Sequence, residues 1–132
     1  MGTSKNVILA VDDEFIILES LRIQLERNFG DKFILEFADS AEVGLEIINE
    51  TIADKNEVVL VLTDWMMPGL KGNEFSKIIR DKYPNTKIVM LTGQIDQNVM
   101  NDTLEKKLID KLISKPWSEY QVVDAINELT SN

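Results

Sequence analysis

Short apolar runs alternate with longer amphipathic stretches along the whole of this chain. The apolar runs lie at positions 6–11, 33–38, 58–63, 87–91 and 111–114, and each precedes a stretch whose apolar residues recur with helical spacing. A chain that alternates strands and helices in this way needs right-handed crossovers, and these produce a parallel sheet. The pattern therefore predicts an α/β fold.

The ends of the predicted helices come from caps and breakers. Pro84 requires the third helix to end before it, and the pairs Asp39/Glu42 and Ser118/Gln121 resemble capping boxes that open the second and last helices. Helical spacing predicts these inward-facing residues: Leu18, Leu21, Leu25 and Phe29; Val43, Ile47 and Ile48; Phe75, Ile78, Ile79 and Tyr83; Met100, Leu104 and Leu108; Val122, Ile126 and Leu129. Five strands and five helices in this order predict a flavodoxin-like (βα)5 doubly wound parallel sheet with strand order 2-1-3-4-5.

Length and hydropathy limit the organisation of the chain. Its 132 residues, 44% of them hydrophobic, suit one compact core, so residues 1–132 are expected to form one domain. No apolar stretch is long enough to span a bilayer, and the starting residues MGTSKN lead into a strand without a secretory hydrophobic region. We therefore expect a cytoplasmic protein without a membrane partner.

Composition restricts the available chemistry. The net charge is −9, and no basic stripe with interleaved aromatic residues occurs, so direct nucleic-acid binding is not expected. The chain has no Cys and no His, which excludes disulfides, thiolate sites and imidazole ligands. Any metal binding or catalysis must use carboxylates, hydroxyls, lysine or the main chain.

Polar side chains follow four of the predicted strands at the point where each strand ends. Carboxyl ends of neighbouring parallel strands meet at one edge of the sheet, so one cleft should contain Asp12, Asp13, Asp64, Thr92 and Lys115. Crowded carboxylates repel one another and raise their own proton affinities unless a cation neutralises them. Mg²⁺ suits such a site because it takes few carboxylates and keeps waters that phosphoryl oxygens can replace. The cleft is predicted to bind a divalent cation and a phosphoryl group.

Simpler roles exist for the same residues. Asp12 and Asp13 could cap the following helix, whose dipole favours anions, although capping is compatible with metal binding. Thr92 could be β-branched strand filler, and Lys115 an ordinary surface lysine. Trp65 adjoins a cleft residue and is expected to form a partly exposed cleft wall.

The polar strings at the strand ends resemble those of response-regulator receiver domains of two-component signalling. These strings are VDDE at 11–14, DWMMPG at 64–69, MLTG at 90–93, and the Lys-Pro pair at 115–116. One such string would be a weak signal, but all of them in this order and at this spacing are specific. The resemblance covers essentially the whole chain.

The resemblance implies a set of metal ligands. Asp13 and Asp64 would bind Mg²⁺ directly, the main-chain carbonyl of Met66 would be a third ligand, and Asp12 would act through water. Mn²⁺ should substitute for Mg²⁺.

The resemblance also implies a phosphoryl transfer. Asp64 would accept the phosphoryl group, as a carboxylate nucleophile can by forming an acyl phosphate, with Lys115 and Thr92 contacting the phosphoryl oxygens. The donor would be a phosphohistidine of a sensor histidine kinase or phosphotransfer protein, or a small phosphodonor such as acetyl phosphate. The chain would not be an enzyme in the usual sense, but a receiver that catalyses its own phosphotransfer and autodephosphorylation.

A switch would link phosphorylation to an output. In the family the Thr hydroxyl moves toward the phosphoryl group and an aromatic residue of the fifth strand rotates inward; here these positions are Thr92 and Leu112, so the aromatic part is missing. The resemblance places the responding face on the helix predicted around Met100–Leu108, the fifth strand and the last helix. That face would control an output domain or effector protein, and a homodimer through it is expected by analogy only.

Other functions fit the sequence less well. A flavodoxin-type electron carrier shares the topology, but VDDE would repel the phosphate that its first loop binds. A phosphatase of the aspartyl-phosphate kind would carry a second Asp two residues beyond the nucleophile, where this chain has Met66. A receiver that only docks partners, without phosphorylation, is a further alternative, as is a receiver that forms part of a longer protein.

Overall fold

The structure, a computed structural model, describes residues 4–93, 101 and 107–131. Its strands are β1 (Asn6–Val11), β2 (Ile34–Ala38), β3 (Glu57–Asp64), β4 (Lys87–Thr92) and β5 (Lys111–Ser114). The helices in this part of the chain are α1 (Phe15–Phe29), α2 (Ala41–Ala53), α3 (Gly72–Lys82) and α4 (Glu119–Thr130), the last being the C-terminal helix. The helix predicted from Met100, Leu104 and Leu108 falls largely outside the described residues. None of the helices described in these ranges is long and apolar enough to cross a membrane.

The strands form one parallel sheet in the order β2-β1-β3-β4-β5. This order and the flavodoxin-like α/β class confirm the fold predicted from the sequence. β3 lies at the centre because its apolar run, VVLVL, can be covered on both faces. β2 is an edge strand, and none of its first four residues is fully buried.

Alternate strand residues serve two separate cores, one on each face of the sheet. In β1, Leu9 and Val11 join the cluster that α2 and α3 cover, whereas Ile8 and Ala10 join the cluster covered by α1 and α4. This division follows from the alternating direction of strand side chains. Helices therefore cover both faces and leave the carboxyl edge of the sheet open for polar side chains.

Most helix boundaries agree with the sequence prediction. The inward residues of α1 are buried as expected, α3 ends at Lys82 before Pro84, and Ser118 with Gln121 forms the capping box of α4. The prediction that Asp39 caps α2 was wrong, because the N-cap is Ser40, whose hydroxyl accepts a hydrogen bond from the Val43 amide at 3.1 Å.

The inward face of α2 also differs from the prediction. Val43 is 38% exposed, so its expected inward position was wrong. Gly44 faces inward instead, where an added Cβ would lie 3.1 Å from the side chains of both Phe75 and Val11. The smallest residue therefore decides which face approaches the sheet, since it allows α2 to pack closely against β1 and α3.

Candidate functional site

The carboxyl edge of the sheet brings Asp12, Asp64 and Lys115 together from three different strands. Asp12 follows β1 and is 0% exposed, and Asp64 ends β3 and is 3% exposed. The Asp12 amide donates to the Ala38 carbonyl at 3.1 Å, which continues the ladder between β1 and β2 by one residue. The Glu14 amide donates to Asp12 Oδ1 at 2.8 Å, so the start of α1 holds this carboxylate in place.

Lys115 lies between three carboxylates. Its Nζ is 3.0 Å from Asp64 Oδ1, 3.2 Å from Asp12 Oδ2 and 3.8 Å from Glu14 Oε1. Oxygen atoms of Asp12, Glu14 and Asp64 all lie within 4.8 Å of one another, so these three residues could hold a metal ion. Because the ammonium neutralises only one negative charge, the ionised cluster keeps an excess that favours a cation.

Burial and the lysine act in opposite directions on the two aspartates. Burial raises the pKa of Asp64 above its ordinary value, and hydrogen bonding and attraction to Lys115 offset only part of that effect. The pKa of Asp12 is also raised, first by burial, and repulsion from Asp64 adds to it. For Lys115, burial works to lower the pKa, but the hydrogen bond to Asp64 and the attraction of both aspartates outweigh it, so the pKa is raised. The ammonium of Lys115 therefore stays charged, whereas burial still disfavours the ionised form of both aspartates.

Thr92 brings a buried hydroxyl to the same edge of the sheet. It ends β4, is 4% exposed, and its carbonyl accepts a hydrogen bond from the Lys115 amide at 2.8 Å. Among the described residues, no group forms a hydrogen bond with its Oγ1. An unsatisfied buried hydroxyl costs about 1–3 kcal/mol. The Thr92 hydroxyl therefore fits a site in which an oxygen atom of a ligand accepts a hydrogen bond from it. With the carboxylate cluster, this hydroxyl gives a donor set that suits Mg²⁺ and a phosphoryl group.

Contacts between α1 and α4 position the loop that carries Lys115. Trp117 Nε1 donates to Gln24 Oε1 at 2.9 Å, and Arg27 Nε donates to Glu119 Oε2 at 3.1 Å. The hydrogen bond with Arg27 is the main reason that the pKa of Glu119 is lowered. The bond between Lys115 and Pro116 is cis. The first turn of α4 is thereby fixed against the last turn of α1.

Glycines shape the loop between β3 and α3. An added Cβ at Gly72 would lie 2.5 Å from the Asp64 carbonyl oxygen and 2.9 Å from the Trp65 Cα. The Gly72 amide donates to the Trp65 carbonyl at 2.9 Å, and Gly69 has a φ of 79°, which favours glycine. The start of α3 therefore packs directly on the backbone that follows Asp64, and Met66 lies in the loop between them.

The remaining residues predicted for the site have varied positions. Asp13 is exposed and is not part of the carboxylate cluster, so its role as a direct ligand stays a prediction. Met66 exposes 59% of its surface, and Leu112 is half-buried against the core on the α2 and α3 side.

Trp65 was expected to be partly exposed, but it is 5% exposed and lies within the core on the α2 and α3 side. It was misplaced because the residue after Asp64 points to the opposite face of the strand.

Glu14 is the residue of the cluster that the sequence analysis missed. It is part of the VDDE string, and the only available signal was that string's third acid. Glu14 is the N-cap of α1, although glutamate is not among the residue types that favour this position, and its side chain forms no capping hydrogen bond. The structure instead places its carboxylate beside Lys115.

Comparison with known families agrees with this geometry. The family model described as response regulator receiver domain matches residues 8–127, which is most of the chain. The chain belongs to the receiver-domain family of response regulators. Receiver domains of two-component systems bind Mg²⁺ at an acidic pocket, and the cluster of Asp12, Glu14 and Asp64 lies at the corresponding edge of this fold.

Curated relatives of this receiver domain are regulators. It is 35% identical over 128 residues to transcriptional regulatory protein ResD of Bacillus subtilis, covering 96% of the chain and 49% of the relative. It is 34% identical over 121 residues to phosphate regulon transcriptional regulatory protein PhoB of Klebsiella pneumoniae, covering 90% of the chain and 49% of the relative. The chain thus spans about half the length of these relatives, and 25% of the hydrogenase transcriptional regulatory protein HoxA of Cupriavidus necator.

Solved structures confirm the receiver fold. A response regulator receiver domain protein from Clostridium thermocellum superposes with a TM-score of 0.82 at 27% identity, covering 94% of this chain and 93% of that one. A CheY-like receiver domain protein from Methanospirillum hungatei gives a TM-score of 0.80 at 28% identity, covering 96% of this chain and 93% of that one. This receiver domain is therefore consistent with a phosphorylation-dependent switch.

Proposed function

We propose that this receiver domain accepts a phosphoryl group on Asp64 from the phosphohistidine of a sensor histidine kinase or phosphotransfer protein, in a reaction that requires Mg²⁺. The observation that carries the proposal is the pairing of Asp64 with Lys115 at 3.0 Å, at the edge of the sheet where β4 ends in Thr92, whose buried hydroxyl has no hydrogen-bond partner among the described residues. A nucleophile, a cation and a hydrogen-bond donor thus lie at one strand edge. Mg²⁺ fits the carboxylate cluster, and Mn²⁺ should replace it.

The chemistry follows from these groups. A carboxylate oxygen of Asp64 attacks the phosphorus, the bond between phosphorus and the imidazole nitrogen breaks, and an acyl phosphate forms while the imidazole leaves. The transition state is loose, so positioning and charge neutralisation supply most of the catalysis. Lys115 is already in contact with Asp64 and brings a point charge to the phosphoryl oxygens, and Thr92 donates its hydroxyl hydrogen to one of them.

The metal would be held by the oxygen atoms around the nucleophile. Asp13, Asp64 and the Met66 main-chain carbonyl would bind it directly, and Asp12 would bind it through water. When bound, Mg²⁺ would neutralise charge on the carboxylates and on the transferring group. Burial raises the pKa of Asp12 and of Asp64, and a bound cation would favour the ionised form of both carboxylates.

The direct test is the intact-protein mass after incubation with acetyl phosphate, with and without Mg²⁺. We expect one phosphoryl addition that hydroxylamine removes and that requires the metal, since hydroxylamine cleaves acyl phosphates. No addition with a small donor or with a phosphohistidine donor would contradict the proposal. It would leave a receiver that acts by docking alone.

Phosphorylation should change the face formed by the helix predicted around Met100–Leu108, β5 and α4. Thr92 would move toward the phosphoryl group, and the segment that follows it would shift the population of that face. Leu112 in β5 would repack without the polar group that an aromatic switch residue can expose. Backbone amide spectra should therefore show shifts in β5 and α4 on saturating phosphorylation, whereas β2 should change little. Unchanged amides in β5 and α4 would contradict this switch.

The partner of that face is proposed from the relatives. Several relatives are named transcriptional regulators and are longer than this chain, which supports an output domain or an effector protein as the target. Association of two copies through the same face stays a prediction.

Met66 should control the lifetime of the acyl phosphate. Its exposed thioether side chain follows Asp64 by two residues and cannot orient an attacking water, so autodephosphorylation should be slow. Met66→Asn supplies an amide that can hydrogen-bond this water, so it should raise the decay rate by up to about tenfold, the effect of one hydrogen bond worth about 1.4 kcal/mol. The main-chain carbonyl stays in place, so metal binding should persist.

The decay can be followed by intact mass after removal of the donor. Val43→Asn is a suitable control, because it introduces the same amide at an exposed position of α2. Equal decay rates in Met66→Asn and the unmodified chain would show that Met66 does not limit hydrolysis.

A further inference from the structure

Glu14 occupies a capping position without acting as a cap. It is the N-cap residue of α1, with φ of −91° and ψ of 116°, yet its side chain forms no capping hydrogen bond. Its carboxylate instead lies 3.8 Å from Lys115 Nζ and within 4.8 Å of carboxylate oxygens of Asp12 and Asp64. The side chain is therefore part of the cleft and not of the helix terminus.

Lys115 does not neutralise the negative charge of Glu14. The ammonium already has closer partners in Asp64 at 3.0 Å and Asp12 at 3.2 Å, whereas 3.8 Å to Glu14 is too long for a hydrogen bond. Three carboxylates share one ammonium, so the ionised group carries a net charge that matches a divalent cation. Glu14 is also the most exposed of the three, at 64% of its side-chain surface, which places it at the rim of the cleft.

We propose that Glu14 is an outer carboxylate of the cation site, which strengthens divalent-cation binding by attracting the ion and accepting a hydrogen bond from one of its waters. Mg²⁺ keeps several waters when it is bound. A carboxylate just outside the direct ligands can therefore accept a hydrogen bond from one of these waters. The inference rests on the proposed function, because it assigns a new residue to the same cation site. It makes Glu14 a positioning residue, since Glu14 does not touch the reacting atoms.

The expected effect is a change in cation affinity. Removing an outer-shell partner commonly weakens metal binding about 10–100-fold. Solvent screens a mostly exposed carboxylate, so we expect the Kd for Mg²⁺ to rise about three- to tenfold in Glu14→Gln. Glu14→Asp keeps the charge on a shorter side chain and should give a smaller rise than Glu14→Gln.

The test is isothermal titration of the unphosphorylated protein with MgCl₂ at constant ionic strength. Glu19→Gln is the matched control, because Glu19 is a partly exposed acid of the same helix that pairs with Arg22 at 3.1 Å, outside the cluster. Its Kd should stay within about twofold of the unmodified chain, since distant exposed charges are largely screened. Thermal unfolding of each variant in EDTA confirms that all of them fold.

Equal Kd values for Glu14→Gln and the unmodified chain would overturn the inference, as would equal rises in Glu14→Gln and Glu19→Gln. Acetyl phosphate labelling at saturating Mg²⁺ separates this failure from a failure of the proposed function. Labelling of Asp64 with an unchanged Kd would reject only the role of Glu14. A raised Kd with no labelling by acetyl phosphate and none by a phosphohistidine donor would support that role and reject the phosphoryl transfer. An unmodified chain that binds no Mg²⁺ would reject both the role of Glu14 and the Mg²⁺ requirement of the proposed function.

Discussion

Replacing Asp64 with Asn should eliminate hydroxylamine-labile phosphorylation of this receiver domain. The Asn amide has nearly the same shape as the carboxylate but is not a nucleophile, so no acyl phosphate can form at this position. Asp64 also contacts Lys115, and its loss leaves the ammonium paired with Asp12. We therefore expect a folded protein with at least a hundredfold lower yield of phosphoryl addition, measured by intact mass after incubation with acetyl phosphate and Mg²⁺.

The control for this experiment is another Asp→Asn change on the same molecule. Asp81 on α3 exposes 63% of its side chain and pairs with Lys77, so Asp81→Asn should be phosphorylated like the unmodified chain. A labile phosphoryl group that persists in Asp64→Asn would contradict the assignment. The candidates would then be Asp12 and Glu14, whose carboxylates lie within 4.8 Å of Asp64.

The sheet could be predicted from the sequence because its strands are long apolar runs in strict alternation with helices. β5 was predicted at Lys111–Ser114 and is found there, and β3 is one residue longer at each end than its predicted run. These elements depend on hydrophobic periodicity, which few local contacts can override. The strand order then followed from the topology rules for parallel sheets.

The details that failed depend on tertiary contacts. Asp39 and Ser40 are both good N-cap residues, so residue type alone does not decide between them, and in the structure Ser40 caps α2. Trp65 was misplaced because proximity to Asp64 in the chain was taken as proximity in the cleft. In both cases the sequence predicted the element correctly but not the direction of a particular side chain.

The site was predicted in outline for a similar reason. Strand ends had to bring Asp12, Asp64 and Lys115 to one edge, and the ion pairs at 3.0 and 3.2 Å agree with that expectation. Asp13 and Glu14 lie beyond the end of β1, where the backbone turns into a helix and strand periodicity no longer applies. The carboxylate of Glu14 joins the cluster with Asp12 and Asp64 because of the dihedral angles of the turn, and these cannot be inferred from the residue types.

Replacing Lys115 with Met should destabilise the metal-free protein by about 3 kcal/mol at pH 7. The side chains of Asp12 and Asp64 are 0% and 5% exposed, and Lys115 is the cation that contacts both among the described residues. Removing it leaves two buried carboxylates without compensation, which costs more than the lost ion pairs alone. Urea unfolding in EDTA measures the change, and Lys77→Met is the control because Lys77 is 62% exposed and pairs only at the surface.

The loss caused by Lys115→Met should depend on pH with a definite sign. Burial raises the pKa of Asp12 and Asp64 in the folded protein, and without Lys115 these pKa values should rise further. A carboxyl group with a raised folded pKa adds stability below its unfolded pKa of about 4, and that stability is lost as the pH rises through the folded pKa. The penalty should therefore be large at pH 7 and shrink toward pH 4. Mg²⁺ should reduce it at pH 7, because without the repulsion from Lys115 the variant should bind the cation more tightly than the unmodified chain does. A loss of the same size at both pH values and with Mg²⁺ would show that Lys115 contributes by packing and not by neutralising these carboxylates.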